Sequence, residues 1–142
     1  MRVVVVGGVA GGMSAAARLR RRDEGADIIV LERSKYVSFA NCGLPYYVGG
    51  EIKDPAKLLL HTPQTLKAAL NLDVRINSEA TAIDPGVHSV QVANTETGEA
   101  YTLTYDHLIL SPGALASLPP IDGLDSPRVH TLRTVDDALA LR

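Results

Sequence analysis

The sequence predicts an α/β fold in which a parallel sheet carries an inserted antiparallel β-meander. Three short apolar runs occur at 2–6, which is β-branched throughout its apolar part, at 26–32 and at 107–113, and such runs are typical of strands buried on both faces of a parallel sheet. A segment of good helix formers separates the first two runs. Segments that alternate between polar and apolar residues occupy about 79–105, which indicates antiparallel strands with one solvent-exposed face.

The N-terminal residues form a predicted β–α–β unit. The strand "RVVVV" (2–6) leads into "GGVAGG" (7–12), the helix "MSAAARLRRR" (13–22) and the strand "ADIIVLE" (26–32). A signal peptide is the competing interpretation of this N-terminus. Gly7 interrupts the apolar run after Val6, and glycines suit the apolar region of a signal peptide poorly, so we favour a strand.

The later elements follow from local signals. We expect an irregular, functional loop at 33–54. Thr62 and Pro63 suit the N-cap and first turn of a helix that ends near Asn71. The short strand "DVRI" (73–76) is followed by three alternating strands, "EATAID" (79–84), "HSVQVAN" (88–94) and "AYTLTY" (100–105), and then by "HLILSPG" (107–113). The Pro-rich remainder is predicted to be loop-like until a helix begins near Asp136.

Composition narrows the classes of partner. The 14 basic and 16 acidic residues give a net charge of -2, which predicts neither nucleic acid nor an anionic membrane as the main partner. No segment approaches the roughly 18 consecutive apolar residues of a membrane span. The single cysteine excludes an internal disulfide and favours a reducing, cytoplasmic location. We predict no metal site.

The glycine-rich turn predicts a nucleotide site in a Rossmann-like domain. A helix N-terminus offers unpaired N–H groups to a pyrophosphate. Glu32 follows Gly12 by twenty positions and suits ribose hydroxyls, whereas it would repel the 2′-phosphate of NADP. Gly7 and Gly12 occupy the outer positions of the fingerprint, but Val9 replaces its middle glycine. The alternative is a merely flexible turn, and the motif does not separate FAD from NAD.

Cys42 is the candidate reactive group. Gly43, Leu44 and Pro45 after it predict the start of a short helix, and Ser38 and Asn41 can supply hydrogen bonds. The ten residues from Glu32 can span at most about 33–36 Å, enough to bring a thiol to the reactive end of a bound dinucleotide, where it suits a flavin. Tyr47 stands where a two-cysteine reductase carries its second thiol. The alternative is an inert, buried cysteine, and these residues leave both interpretations open.

Four segments carry a resemblance to a known family: "VVVVGGVAGGMSAAARLRR", "IIVLERSKYVSFANCGLPYYVGG", "LLLHTPQTLK" and "YDHLILSPGA". Together they resemble the single-cysteine branch of the flavoprotein disulfide reductases, and most of all the coenzyme A-disulfide reductases and their persulfide or polysulfide reductase relatives. The resemblance covers essentially the whole chain. It implies an FAD enzyme reduced by NAD(P)H that acts on a small-molecule disulfide or persulfide of the coenzyme A type.

The resemblance also implies roles for individual residues. Cys42 would be catalytic. The implied cofactor-binding residues are Gly7, Val9, Ala10, Gly11, Gly12, Glu32, Arg33, Asn41, Cys42, Ser111, Gly113 and Arg133. The implied substrate-binding residues are Ser14, Arg18, Arg21, Ser38 and Asn41, because arginines suit the phosphates of coenzyme A. A solvated helix face is the competing interpretation of the arginines.

One position separates related activities. NADH peroxidases and water-forming NADH oxidases are similar to this stretch but place a His at the position of Ala10, where it would assist peroxide chemistry beside a cysteine sulfenic acid. Ala10 therefore favours the disulfide or persulfide reductases. An oxidase or peroxidase that uses a Cys42 sulfenic acid remains the alternative.

The resemblance further implies that more chain is needed for activity. We expect 1–115 to be the first segment of the FAD-binding domain and 116–142 to be a linker toward an NAD(P)H-binding domain, in a homodimeric parent enzyme. The FAD-binding domain is then incomplete, and we expect the isolated chain to lack hydride transfer. A non-catalytic nucleotide-binding fragment is the second class of function.

Overall fold

The computed structural model describes all of residues 1–142. Its strands are β1 (Arg2–Val6), β2 (Asp27–Leu31), β3 (Asp73–Arg75), β4 (Ser78–Asp84), β5 (Ser89–Asn94), β6 (Ala100–Thr104) and β7 (His107–Leu110). Its α-helices are α1 (Ala10–Arg22), α2 (Leu44–Val48), α3 (Pro63–Leu70) and α4 (Val135–Leu141), and 3₁₀ turns cover Asn41–Gly43 and Pro55–Leu58. None of the helices is long and apolar enough to cross a membrane.

The chain divides into two compact units, each made of two segments. Unit 1 contains Met1–Ser38 and His61–Gly113. Unit 2 contains Phe39–Leu60 and Ala114–Arg142. The predicted domain boundary at 115 and the assignment of 116–142 as a linker stay predictions.

A parallel sheet organises unit 1. The strand order is β3-β2-β1-β7, and Val3 pairs with Ile28 of β2 on one side and with His107 of β7 on the other. The chain therefore leaves β1 toward β2 and later returns to the opposite side of β1. This reversal of strand order opens a crevice beyond the carboxyl ends of β1 and β7, where open α/β sheets bind ligands.

The two faces of this sheet bury different side chains, because successive residues of a strand point to opposite sides. Val3, Val5, Ile28 and Val30 pack in one cluster with residues of α1 and with Leu66 of α3. A second cluster contains Val4, Ile29, Leu31, Val90, Val92 and Tyr105, and its last three members come from the meander and the residue that follows it. This burial on both faces explains the continuous apolar runs of β1 and β2. The prediction that β7 is equally buried is wrong: β7 is an edge strand of the sheet, where His107 and Leu110 are exposed and Leu108 and Ile109 are half-buried.

The inserted β-meander forms as the alternating pattern predicts. Strands β4, β5 and β6 pair antiparallel in that order. Val90 and Val92 of β5 are fully buried, whereas Gln91 between them is exposed. The α/β class with a parallel sheet and an antiparallel meander is thus confirmed.

Helix α3 begins and ends where its sequence signals predict. Thr62 is the N-cap and forms a capping box with Thr65, and Pro63 is the first helical residue. Asn71 ends the helix in the left-handed conformation at φ 48°, which asparagine tolerates better than most residues. The predicted end near Asn71 is confirmed.

Unit 2 joins two distant segments of the chain. Phe39 forms a β-bridge with Leu59, and the N–H of Ala40 donates to the carbonyl of Leu58, 2.8 Å away. Helices α2 and α4 pack against each other. Within the expected irregular loop at 33–54, the short helix that follows Cys42 is confirmed as α2, and α4 begins one residue before the predicted Asp136.

Candidate functional site

The glycine-rich turn is held against the end of β7. Gly7 has φ +106°, a conformation that side chains strongly disfavour. A Cβ there would overlap the carbonyl oxygen of Ser111, and a Cβ at Gly12 would overlap the carbonyl oxygen of Gly7. The N–H of Gly7 donates to the carbonyl of Leu31, and the N–H of Ser111 donates to the carbonyl of Val6. Both hydrogen bonds are 2.8 Å long. Glycine at positions 7 and 12 is therefore required by the backbone itself.

Helix α1 starts earlier than the sequence predicts. The sequence predicts a start at Met13, but the helix begins at Ala10, and the N–H of Met13 already donates to the carbonyl of Val9 at 3.0 Å. Gly11 and Gly12 have low helix propensity, which is why the pattern placed them in the turn. Close packing on Gly7 overrides that propensity.

The N-terminus of α1 carries no protein cap. Val9 is the N-cap residue, and no side chain accepts a hydrogen bond from the first turn. The first N–H groups of a helix lack intrahelical acceptors and lie at the positive end of its dipole. This end of α1 therefore has the chemistry that binds a phosphate group.

Glu32 is buried and ties the turn to the segment after β2. One carboxylate oxygen, Oε2, accepts a hydrogen bond from the N–H of Gly8 at 2.8 Å. The other, Oε1, accepts from the N–H and the hydroxyl of Ser34 at 2.9 and 2.8 Å. A carboxylate has about four acceptor positions, so one remains for an outside donor such as a ribose hydroxyl.

Glu32 also lines a groove of about 130 Å³ in unit 1. The groove is bounded by Val6, Gly7, Leu31, Glu32, Arg33, Ser78, Glu79, Ala80 and Pro112. Several of these residues end or follow parallel strands, so the groove lies in the crevice at the reversal of strand order. The structure thus brings the predicted residues Gly7, Glu32 and Arg33 together at one opening.

Three of the predicted substrate-binding residues lie on α1. Ser14, Arg18 and Arg21 are all exposed, and their spacing of four and three residues puts them on one face of the helix. Ser38 has a positive φ of 51° and its N–H donates to the carbonyl of Gly8 at 2.8 Å. These residues all belong to unit 1, as do the predicted cofactor residues from Gly7 to Arg33 and Ser111 and Gly113.

Arg20 has a different role from its neighbours. It is only 8% exposed, and its guanidinium donates to carbonyl oxygens of five residues, Asp23, Glu24, Ala26, Leu70 and Asn71. These carbonyls lie at and after the ends of α1 and α3. Arg20 thus stabilises the fold. Its spacing from buried Met13 and Ala16 was the sequence signal that could have separated it from the exposed arginines.

Cys42 lies in unit 2 at the beginning of a helical segment. The 3₁₀ turn Asn41–Gly43 runs directly into α2, and the thiol residue is exposed. The side-chain oxygen of Asn41, Oδ1, is buried and accepts no hydrogen bond. A buried acceptor without a donor is unfavourable by about 1–3 kcal/mol, so this oxygen suits a donor from outside the chain.

The other predicted cofactor residue of unit 2, Arg133, makes a contact within that unit. Its Nε donates to the carbonyl of Ala114 at 2.9 Å. In unit 1 Arg33 is exposed, and its carbonyl accepts from the Thr95 hydroxyl at 3.2 Å. No group of three or more His, Cys, Asp or Glu side chains is arranged to hold a metal ion.

Comparison with known proteins gives matches over the full chain. The sequence profile of the pyridine nucleotide-disulphide oxidoreductases matches residues 1–142. The coenzyme A disulfide reductase of Staphylococcus haemolyticus is 39% identical over 140 residues, which are 99% of this chain and 31% of that protein. The chain thus spans about a third of the length of this curated relative.

Solved structures share the fold. The crystal structure of the reduced Bacillus anthracis CoADR-RHD has a TM-score of 0.94 at 48% identity, over 99% of this chain and 25% of that one. An NAD-dependent persulfide reductase from A. fulgidus has a TM-score of 0.90 at 40% identity, over 98% of this chain and 26% of that one. A water-forming NADH oxidase from Lactobacillus brevis, bound to NADH, has a TM-score of 0.90 at 33% identity, over 99% of this chain and 31% of that one.

Proposed function

Because this chain belongs to the pyridine nucleotide-disulphide oxidoreductase family, we propose that it is the FAD-binding part of a reductase in which NAD(P)H reduces coenzyme A disulfide or a related persulfide through Cys42. The observation that carries the proposal is the single exposed thiol at the start of α2, with no second cysteine in the chain. The names of the coenzyme A disulfide reductase and persulfide reductase relatives support this class of substrate.

The residues of unit 1 fit the dinucleotide part of FAD. Gly7 and Gly12 keep the backbone of the turn free of side chains, and the uncapped start of α1 offers N–H groups to the pyrophosphate. Glu32 keeps an acceptor position for a ribose hydroxyl. Ala10, Gly11, Arg33, Ser111 and Gly113 complete the proposed cofactor set in this unit. Asn41 and Arg133, which belong to unit 2, stay predicted cofactor residues.

Cys42 would carry the sulfur chemistry. Its thiolate attacks one sulfur of the substrate disulfide, the S–S bond breaks, and one coenzyme A thiol leaves after taking up a proton. Cys42 then holds the other half as a mixed disulfide. When bound, the flavin would supply the two electrons, originally from NAD(P)H, that release this half. No second thiol of the chain can do so, because Cys42 is its single cysteine and Tyr47 occupies the position five residues later.

The exposed face of α1 would bind the substrate's charged groups. Arg18 and Arg21 are permanently charged and lie on one face of the helix, and arginine is favoured in phosphate recognition. Ser14 on the same face can donate a hydrogen bond. Ser38 and Asn41 complete the proposed set, and the unpaired Asn41 oxygen suits a donor on either the cofactor or the substrate.

An NADH oxidase or peroxidase is the second candidate function, and the Lactobacillus brevis neighbour favours it. In that case the thiolate of Cys42 would attack one oxygen of a peroxide rather than a disulfide, the O–O bond would break, water would leave and Cys42 would become a sulfenic acid. In an oxidase, the peroxide would form from oxygen by two-electron reduction with electrons from NADH. Ala10 disfavours this candidate, because its methyl group can neither donate nor accept a proton. A non-catalytic nucleotide-binding fragment is the third, since the chain spans only 31% of its curated relative. The cytoplasmic location and the homodimeric parent stay predictions.

The first experiment asks which small molecules the purified chain retains. A visible flavin spectrum, and an intact mass increased by one coenzyme A disulfide-linked to the protein, are the expected results. Cys42→Ser should lose the coenzyme A adduct and keep the flavin, and Tyr46→Phe, an exposed neighbour, should keep both. A colourless protein that takes up no added FAD would instead support the non-catalytic fragment.

The second experiment uses the longer enzyme. Cys42→Ser should abolish reduction of coenzyme A disulfide by NAD(P)H while the flavin is still reduced at its normal rate. Full disulfide reductase activity of the variant would refute the assignment of Cys42. A wild-type enzyme that consumes oxygen but not coenzyme A disulfide would favour the oxidase.

A further inference from the structure

The backbone of Cys42 is continuous with that of α2. The N–H of Gly43 donates to the carbonyl of Ala40 at 3.0 Å, and the N–H of Leu44 donates to the carbonyl of Asn41. The 3₁₀ turn and the helix therefore form one winding from Asn41 to Val48. Any shift of α2 is transmitted to the position of Cys42.

Helix α2 depends on tertiary contacts for its stability. It has five residues and no side-chain cap at its start, and isolated helices shorter than about 12–15 residues are marginal in water. Leu44 and Tyr47 are buried at 3% and 7% exposure. Helix α4 packs against α2 and buries its own Val135 and Ala138.

Arg142, the residue after α4, contacts the carboxyl end of α2 in three ways. Its Nη1 donates to the carbonyl of Tyr47 at 3.0 Å and to the carbonyl of Ile52 at 2.6 Å. Its guanidinium carbon lies 4.6 Å from the centre of the Tyr47 ring. One side chain thus joins the last turn of α2, the buried ring of that turn and the loop that follows.

The charge and shape of arginine suit this position. A cation stabilises the carboxyl end of a helix, where the carbonyl groups lack intrahelical donors. Arginine also attracts an aromatic face while its N–H groups point elsewhere. A lysine keeps the charge and its ammonium can donate to both carbonyls, but it lacks the planar guanidinium that lies over the Tyr47 ring.

We infer that Arg142 is a positioning residue for Cys42, acting by fixing α2 from its carboxyl end. The importance of this role for catalysis rests on the proposed function, since a nucleophile reacts efficiently only when its orientation is held. The contacts themselves do not depend on it. The segment 114–142 accordingly supplies the support of the thiol-bearing segment through α4 and Arg142.

The test compares Arg142→Met and Arg142→Lys with Arg128→Met, which removes an exposed arginine of the same unit. Hydrogen exchange is measured for the amides of Gly49 and Gly50, which donate to Pro45 and Tyr47. Arg142→Met should accelerate their exchange by about tenfold, because local opening of α2 becomes easier. Arg142→Lys should fall between this variant and the wild type, and Arg128→Met should match the wild type.

The second measurement is the rate at which iodoacetamide alkylates Cys42 at several pH values under native conditions. Arg142→Met should raise this rate about threefold or more at each pH. Urea unfolding of the variant is measured in the same buffers, to show that it is folded during the alkylation assay. A folded Arg142→Met whose exchange and alkylation match the wild type would overturn the inference. If that variant does not fold, the lysine variant decides: exchange at the wild-type rate overturns the inference, and faster exchange supports it.

Neither measurement uses FAD, NAD(P)H or a disulfide substrate. A negative result here would therefore leave the proposed reductase activity intact. Conversely, a Cys42→Ser enzyme with full activity would refute the proposed function and would leave the mechanical role of Arg142 standing.

Discussion

Gly12 lies so close to the carbonyl oxygen of Gly7 that a Cβ at position 12 would overlap that oxygen. This contact packs the start of α1 closely against the turn after β1. Gly11, its neighbour, has far more room, since a Cβ there would lie 3.3 Å from the rotatable Ser111 hydroxyl.

The two glycines therefore respond differently to the same substitution. Gly12→Ala should lower the free energy of unfolding by about 1–3 kcal/mol, as expected for overpacking. Gly11→Ala should change it by less than about 1 kcal/mol in either direction, because the gain in helix propensity offsets the mild contact. Urea unfolding of both variants checks this. Equal stabilities of the two variants would contradict the packing argument.

Arg20 and Arg21 form a second matched pair. Arg20→Met should destabilise the chain by about 3 kcal/mol, because several carbonyl oxygens at the ends of α1 and α3 lose a charged donor. Arg21→Met should change stability by less than about 0.5 kcal/mol, since Arg21 is exposed. The free energy of unfolding in urea is again the measurement. A small effect of Arg20→Met would show that water replaces the guanidinium.

Asp137 predicts a pH dependence for the start of α4. Hydrogen bonds from the backbone N–H groups of Thr134 and Arg133 lower the pKa of this carboxyl below its usual 3.8. The ionised form is thus favoured in the folded state. Asp137 stabilises α4 at pH values above the usual pKa, and this contribution is lost as the pH falls through the lowered one.

The variant Asp137→Asn should remove that pH dependence. Its stability relative to the wild type should be lower at neutral pH, and the difference should shrink as the pH falls below 3.8. Stability is measured by urea unfolding between about pH 6 and pH 2. Asp122→Asn, at an exposed position of the same unit, is the control. A difference that is constant across this range would contradict the assignment.

Most of the fold could be predicted because burial leaves a periodic record in the sequence. The apolar runs of β1 and β2 predicted strands covered on both faces, and the alternation at Val90 and Val92 predicted a meander with one solvent-exposed face. The run of β7 predicted a strand but not its place at the exposed edge of the sheet. Thr62 and Asn71 marked the ends of α3 by their side-chain chemistry. All of these signals are local.

The features that could not be predicted depend on contacts between distant parts of the chain. The early start of α1 follows from the approach of Gly12 to Gly7, which overrides the low helix propensity of glycine. Glu32 could be chosen from its spacing, but its hydrogen bonds to Gly8 and Ser34 require the path of the turn. The role of Arg142 depends on α4 meeting a helix some ninety residues earlier in the sequence.

The segmented make-up of unit 2 has a consequence for the order of folding. Residues 61–113 separate the segment that carries Cys42 from the segment that carries α4. During synthesis the N-terminal residues emerge first, and contacts between distant segments form only after the intervening chain has closed the loop. Cys42 is therefore synthesised early, but the contacts that hold its segment in place form late. In a nascent chain, thiol reagents should alkylate Cys42 faster than in the folded protein until Arg142 has left the ribosome.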